Sequence, residues 1–288
     1  MGRFYYGQVS NGEYGVLLER LSGSKPNSEH TSTLPLAQIW KPDTPAYGML
    51  KGWLEDKFPG IDLDSAEKVF EHATPIRGEG IGKASMTDLM LIDEKYKIAI
   101  EAKFKEVFDR YEPIGKWLEN GDRENRIKVL NGWLKDVIGD GIPEEEVKDV
   151  PYQFLHRAAS SLRDSNGRNA SVVYMIFWNA DVDAQNHNNT KRGKYSKVSK
   201  RTSFINSIKK AYKLLSEKYG AKFQLEICLI ETRVAAGIHV PSPEELGSLY
   251  GLMMRPKSVY IFNEILSACD GDDDGFEMGA DHMDGKCC

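Results

Sequence analysis

Apolar and polar positions alternate along this chain in short, readable blocks. Leu89 to Ile92 and Ile98 to Ile100 are apolar runs joined by the polar link Asp93 to Lys97, the pattern of a β-hairpin. Ser171 to Trp178 is a continuous β-prone run, the mark of a strand covered on both faces, and Phe223 to Ile230 is a second one. Between and around them the spacing turns helical. It predicts helices near Tyr47 to Lys57 and Glu112 to Asn120, and from Glu124 to Ile138 with Ile127, Leu130, Leu134 and Val137 on one face. A further helix runs from Tyr152 to Arg163 behind Pro151, and another carries the stripe Phe204, Ile205, Ile208, Tyr212 and Leu215 up to Gly220. Asp64-Ser65-Ala66-Glu67 carries N-cap residues and predicts a short helix to His72.

The hairpin register follows from arithmetic. With the turn centred between Glu94 and Lys95, antiparallel partners sum to 189, which sets Asp88 opposite Glu101 with Cβ atoms about 5 Å apart. Lys103 then shares the face of Glu101, because strand side chains alternate. A three-residue loop would place the two acids diagonally, and no Asn-Gly or Asp-Gly fixes the turn. Acid-x-Lys occurs five times in the chain, but only Glu101-Ala102-Lys103 ends an apolar strand whose partner strand begins with an acid. Two acids held opposite one another repel unless a cation lies between them. The plainer reading is an exposed hairpin end with a surface salt bridge.

Asp88 followed by Glu101-x-Lys103 resembles the PD-(D/E)xK phosphodiesterase superfamily, which includes restriction endonucleases and RecB-like nucleases. The likeness spans about residues 64 to 232 and departs from the pattern at Thr87, where Pro is usual. It implies an α/β fold with a restriction-endonuclease-like core: a central mixed sheet of four to five strands flanked by helices. It also implies Mg²⁺, replaceable by Mn²⁺, held by Asp88, Glu101 and the backbone carbonyl of Ala102. Lys103 would orient or deprotonate the attacking water. An earlier acid often completes such sites, and Glu71 is the candidate, with Glu67 and Glu79 as rivals. Gln153 corresponds to the helix glutamine that RecB-like members set near the metal; the alternative is an ordinary amphipathic helix. Arg157 and Arg163 are candidate phosphate contacts.

At 288 residues and 41% hydrophobic, the chain is long enough for one elaborated domain. The expected organisation is an N-terminal elaboration over 1 to 63, a nuclease-like core over 64 to 263 and an acidic, disordered tail over 264 to 288. No apolar stretch reaches the length of a membrane span and no signal core opens the chain, so the expectation is a cytoplasmic protein. Four cysteines lack zinc or disulfide spacing, and Cys228 reads as a core thiol.

Net charge is −5, an odd balance for a nucleic-acid binder until it is divided by region. Residues 264 to 288 carry −7, which leaves +2 for the rest, and nine bases without an acid fall between 191 and 213. Lys191, Arg192, Lys194, Lys197, Lys200 and Arg201 are therefore the expected nucleic-acid-binding residues, with Tyr195 as a stacking group. The bland alternative is a solvated loop and helix face. Gly78 to Ser85 is glycine-rich, yet Arg77 and Ala84 stand where a phosphate loop needs Gly and Ser or Thr, so it reads as a flexible approach to the first hairpin strand.

The combined expectation is a Mg²⁺-dependent DNA endonuclease of the type II restriction or defence kind. It would act on double-stranded DNA as a homodimer, alongside a cognate methyltransferase. The alternatives are a repair or recombination nuclease, and a non-catalytic nucleic-acid- or partner-binding protein on a nuclease-like scaffold.

Overall fold

A computed structural model describes residues 3–7, 9–10, 14–15, 17, 32–104, 112–139, 141–178, 197–234 and 260–268. Its strands are β1 (Phe4–Tyr6), β2 (Val9–Ser10), β3 (Glu67–Thr74), β4 (Ser85–Ile92), β5 (Tyr96–Lys103), β6 (Asn169–Trp178), β7 (Gln224–Val234) and β8 (Tyr260–Ser267). The helices among the described residues are α1 (Thr33–Ile39), α2 (Pro45–Lys57), α3 (Ile114–Glu119), α4 (Arg123–Ile138), α5 (Glu144–Val147), α6 (Tyr152–Leu162) and α7 (Lys197–Lys213). A π-helical turn, Leu214–Lys218, extends the last of them.

The strands form one mixed sheet in the order β2-β1-β3-β4-β5-β6-β7-β8. Pairing is antiparallel from β3 through β5, parallel from β5 through β7, and antiparallel again at β8. Eight strands exceed the four to five expected from the sequence. The surplus lies at the edges, where β1 and β2 come from the N-terminal segment and β8 from the other end of the chain. β8 runs through the boundary expected at residue 264 as far as Ser267.

Strand alternation splits the core into two layers. Val173, Met175 and Phe177 of β6 face α1 and α2 with Leu89, Ile98 and Ile100, against Trp40, Leu50, Leu54 and Phe58. The intervening Val172, Tyr174 and Ile176 face the layer of α4, α6 and α7, against Trp133, Phe154, Phe204 and Ile208. The N-terminal segment thus supplies one cover of the same sheet.

The helix expected over Asp64 to His72 is absent, because β3 occupies most of that stretch. The N-cap residues serve a turn: Asp62 Oδ1 accepts from the amides of Asp64 and Ser65, at 3.0 and 3.1 Å. That leaves Val69 and Phe70 to pair between β1 and β4.

The glycine-rich approach to β4 also differs from its expected freedom. Its Ile81 amide donates to Asn125 Oδ1 at 2.8 Å, and Asn125 Nδ2 returns a bond to the Ile81 carbonyl at 2.7 Å, which docks the segment on α4. Gly80 and Gly132 permit that approach. A Cβ at Gly80 would stand 2.7 Å from the Val129 amide nitrogen, and one at Gly132 2.3 Å from the Arg77 carbonyl oxygen.

Candidate functional site

Asp93 fixes the hairpin. Its Oδ1 accepts from the amides of Lys95 and Tyr96, and Oδ2 accepts from the Asp62 amide, so an Asx turn replaces the missing Asn-Gly. The resulting register, Leu89↔Ile100 through Ile92↔Lys97, is the even-loop register with partners summing to 189. The next positions, Asp88 and Glu101, are where the ladder stops, one residue short of the expected pair. The Ala102 amide donates to Asp88 Oδ2 at 2.8 Å. On the other side β3 pairs Phe70 with Leu89 and His72 with Thr87, and the rung between them lapses at Glu71, whose φ is +51°. Pairing with both neighbouring strands therefore lapses around Asp88. An irregular backbone of this kind re-aims side chains next to functional sites.

Glu101 is almost fully buried, at 1% exposure, and three groups donate to it. Lys103 Nζ and Gln153 Nε2 both lie 2.5 Å from Oε1, and Arg157 Nε donates to Oε2. Gln153 and Arg157 stand one turn apart on α6, which crosses this end of β5, so a single helix face delivers both. Asp88, Glu101, Lys103 and Gln153, all expected from the sequence, are gathered in one place. Their formal charges, with Arg157, cancel: two acids and two bases.

The electrostatics separate the two carboxyls. Burial, reinforced by the charge of Glu101, raises Asp88 to about 7 against the partial opposition of Lys103 and Arg157. Burial also pushes Glu101 upward, but Arg157 and Lys103 outweigh it and hold that carboxyl below its ordinary value. Tyr174, the register partner of Glu101 on β6, is driven well above its ordinary value by burial and then by that charge. Its hydroxyl is buried without a hydrogen-bond partner.

Ser85 and His156 continue the network. Arg157 Nη1 lies 2.7 Å from Ser85 Oγ and 2.9 Å from His156 Nδ1, and Ser85 Oγ lies 2.7 Å from the same Nδ1. A guanidinium can only donate. Ser85 therefore accepts from Arg157 and donates to Nδ1, which leaves the imidazole proton on Nε2. Burial, then Arg157 and Lys103, keep this histidine neutral by pushing its pKa well below the ordinary value.

Other sequence candidates lie elsewhere. Glu67 accepts from the Tyr5 hydroxyl at 3.3 Å, and Glu79 is exposed beside Lys128. Glu71 lies on β3 at the position where pairing with β4 lapses beside Asp88. Among the described residues no three His, Cys, Asp or Glu side chains form a metal-holding group.

Arg157 and Arg163, expected as phosphate contacts, are buried in ion pairs, with Glu101 and Asp136 respectively. Arg201 is 4% exposed, its guanidinium 5.1 Å from the Trp178 ring centre, and so is covered rather than presented to a ligand. Lys197 and Lys200 lie in the first turn of α7. Lys191, Arg192, Lys194 and Tyr195, and the tail from 269 to 288, lie outside the described residues. Arg157 was expected one turn along from Gln153 as a phosphate contact, not as the partner of Glu101, and Ser85 carried no signal of its place in the network.

An open mixed sheet between two helical layers, with an acid and base cluster at the carboxyl ends of its parallel strands, defines a layered α/β protein whose site lies where such sheets usually place ligands. Residues 17–231 match the model of a family described as a domain of unknown function (DUF6946), and the chain belongs to that family. No curated protein and no solved structure matches it. No helix among the described residues is long and apolar enough to cross a membrane.

Proposed function

We propose that the protein is a metal-dependent phosphodiesterase of the PD-(D/E)xK type, cutting DNA as an endonuclease of the restriction or defence kind. The observation that carries this reading is Asp88 and Glu101 side by side where the β4–β5 ladder ends, with Lys103 bonded to Glu101 at the carboxyl end of β5.

The donor set fits a hard divalent cation at the minimum level. Mg²⁺ is commonly held by one or two carboxylates with water and substrate phosphate completing the shell. Asp88 and Glu101 would hold it, and Asp88 Oδ1 receives no donor among the described residues. Such an ion supplies Lewis acidity toward a phosphodiester. The protein's own groups have separable tasks in this reading. Lys103 positions the attacking water and offsets charge growing on the phosphate. Gln153 and Arg157 fix the carboxylate of Glu101, and Ser85 and His156 fix the guanidinium of Arg157. Double-strand scission requires two such sites, hence a homodimer, and a self-sparing restriction enzyme requires a partner methyltransferase.

A second reading has its own support. The oxygens of Glu101 already accept from three donors, and Arg157 supplies charge that a cation would otherwise supply. A non-catalytic nucleic-acid-binding protein on this scaffold accounts for that saturation. Incubating purified protein with unmethylated phage DNA and Mg²⁺ separates the two. Discrete fragments, lost in Glu101→Gln and Lys103→Ala, support the endonuclease. Cutting that persists in either variant excludes this site, and intact DNA together with Mg²⁺ binding heat that survives Asp88→Ala excludes the metal.

A further inference from the structure

A polar cavity of about 320 Å³ opens beside the start of β5, with Lys97, Arg163, Arg168, His72, Asp164 and Asn166 in its wall. Lys97 is four residues from Glu101 on the same face of β5, about 13 Å along the strand. None of the groups that bond Glu101 lies in this wall, although Thr74 is the register partner of Ser85.

The wall holds three cationic side chains and one acid. Lys97 is 6% exposed, and its ammonium donates to the carbonyl of Arg163 at the end of α6, with no carboxylate partner among the described residues. Arg168 likewise bonds carbonyls only, Nε to Asp93 at 2.5 Å and Nη1 to Ser165 at 3.4 Å. Arg163 differs, because Asp136 pairs with it. Asp164, the one acid in the wall, is exposed, and its charge favours the Lys97 ammonium. An ammonium withdrawn from water without a counter-ion is costly. Burial lowers the pKa of Lys97, Arg163 and Arg168 push the same way, and Asp164 and Asp136 oppose them. His72 is lowered to about 4 by burial and then by Lys97, so it offers a neutral imidazole.

Lys97 and Arg168 against Asp164 leave the wall net positive, and a phosphate monoester carries about −1.5 to −2 at neutral pH. The volume lies at the lower end of small-molecule sites, about 300 to 1,000 Å³, which leaves room for more than a bare anion. Pro75 and Ile92 give the same wall an apolar side. We propose that this cavity binds a small phosphomonoester, with Lys97 and Arg168 on the phosphate and Pro75 and Ile92 against the organic body.

Calorimetric titration of the full chain tests this with inorganic phosphate, adenosine 5′-monophosphate, ribose 5-phosphate, adenosine and ribose. The expected result is one-to-one binding of at least one phosphomonoester, tighter than inorganic phosphate, with no binding of its unphosphorylated counterpart. Arg168→Gln and Lys97→Met should each weaken it at least tenfold. Arg168→Gln decides the matter where the buried Lys97→Met does not fold. Absence of binding by both phosphomonoesters would mean that Lys97 only caps α6 and would overturn the proposal. So would equal binding of the unphosphorylated compounds, inorganic phosphate binding at least as tightly as either ester, or affinity unchanged in Arg168→Gln. Glu101→Gln should bind as wild type, so the outcome stands apart from that of the endonuclease reading.

Discussion

The guanidinium of Arg157 and the carboxylate of Glu101 form an ion pair between α6 and β5 in which the two side chains are only 4% and 2% exposed. Charges taken this far from water contribute mainly by not being left alone, since removing one partner of a buried pair costs about 3–5 kcal/mol while replacing both is often neutral. Arg157→Met is expected to lower stability by roughly that amount, softened by the bond that Lys103 keeps on Glu101. Glu101→Gln added to Arg157→Met should recover part of the loss. Urea midpoints of the two single variants and the double variant close the cycle, and a loss below about 1 kcal/mol in Arg157→Met would show that the pair does not anchor α6.

Asp88 stands in the opposite electrostatic position. Its folded carboxyl is raised from 3.8 to about 7, so the native state favours the protonated form more than the unfolded chain does. The associated stability is fully present below pH 3.8 and is lost as pH rises to about 7. Asp88→Asn retains an acceptor for the Ala102 amide and carries no charge. Its melting temperature should match wild type near pH 4 and exceed it increasingly up to pH 7, with an advantage of a few kcal/mol at most. Equal melting temperatures at pH 8 would mean that Asp88 is not held against its preference.

These two residues mark where sequence reasoning succeeds and where it stops. The register that brings Asp88 near Glu101 was legible because register is arithmetic once two apolar runs flank a short link, although the pairing stops at Leu89 and Ile100 and the turn is closed by Asp93 rather than by glycine. Gln153 was legible through resemblance. Arg157 was read as a surface or phosphate-binding arginine, because a guanidinium's partner comes from a strand more than fifty residues away and leaves no local pattern. β3 was misread for a related reason. The carboxylate of Asp62 and the hydroxyl of Ser65 are equally good turn formers and helix caps, and Val69-Phe70 is too short an apolar pair to reveal its period.

Gly132 offers a test of packing in which two effects oppose each other. In a solvent-facing helix, Gly→Ala gains about 1 kcal/mol of propensity. Here the new Cβ would meet the Arg77 carbonyl oxygen at 2.3 Å, a backbone atom tied into the segment that Asn125 holds on α4. Overpacking of that kind costs about 1–3 kcal/mol, and with a rigid backbone atom as the obstacle Gly132→Ala should be net destabilising by up to about 2 kcal/mol. Protease susceptibility between Arg77 and Ser85 should rise with it. A thermal melt showing unchanged or higher stability would mean that the segment yields freely.

The split between the two site carboxyls gives the proposed endonuclease a definite pH response. Asp88 is raised to about 7 and Glu101 is held low, so on acidification the pair takes up its first proton chiefly at Asp88. That proton and a divalent cation compete for the same oxygens. Initial cleavage rates should therefore fall below pH 7, approaching tenfold per unit, and the acid limb should move to lower pH as Mg²⁺ is raised. A tenfold increase in Mg²⁺ shifts such a limb by up to one unit where one proton and one ion compete. Glu101→Asp, which keeps the charge but shortens the reach to Arg157 and Gln153, should reduce the rate while preserving that sensitivity. An acid limb that stays fixed over a hundredfold range of Mg²⁺ would show that Asp88 is not where proton and cation exchange.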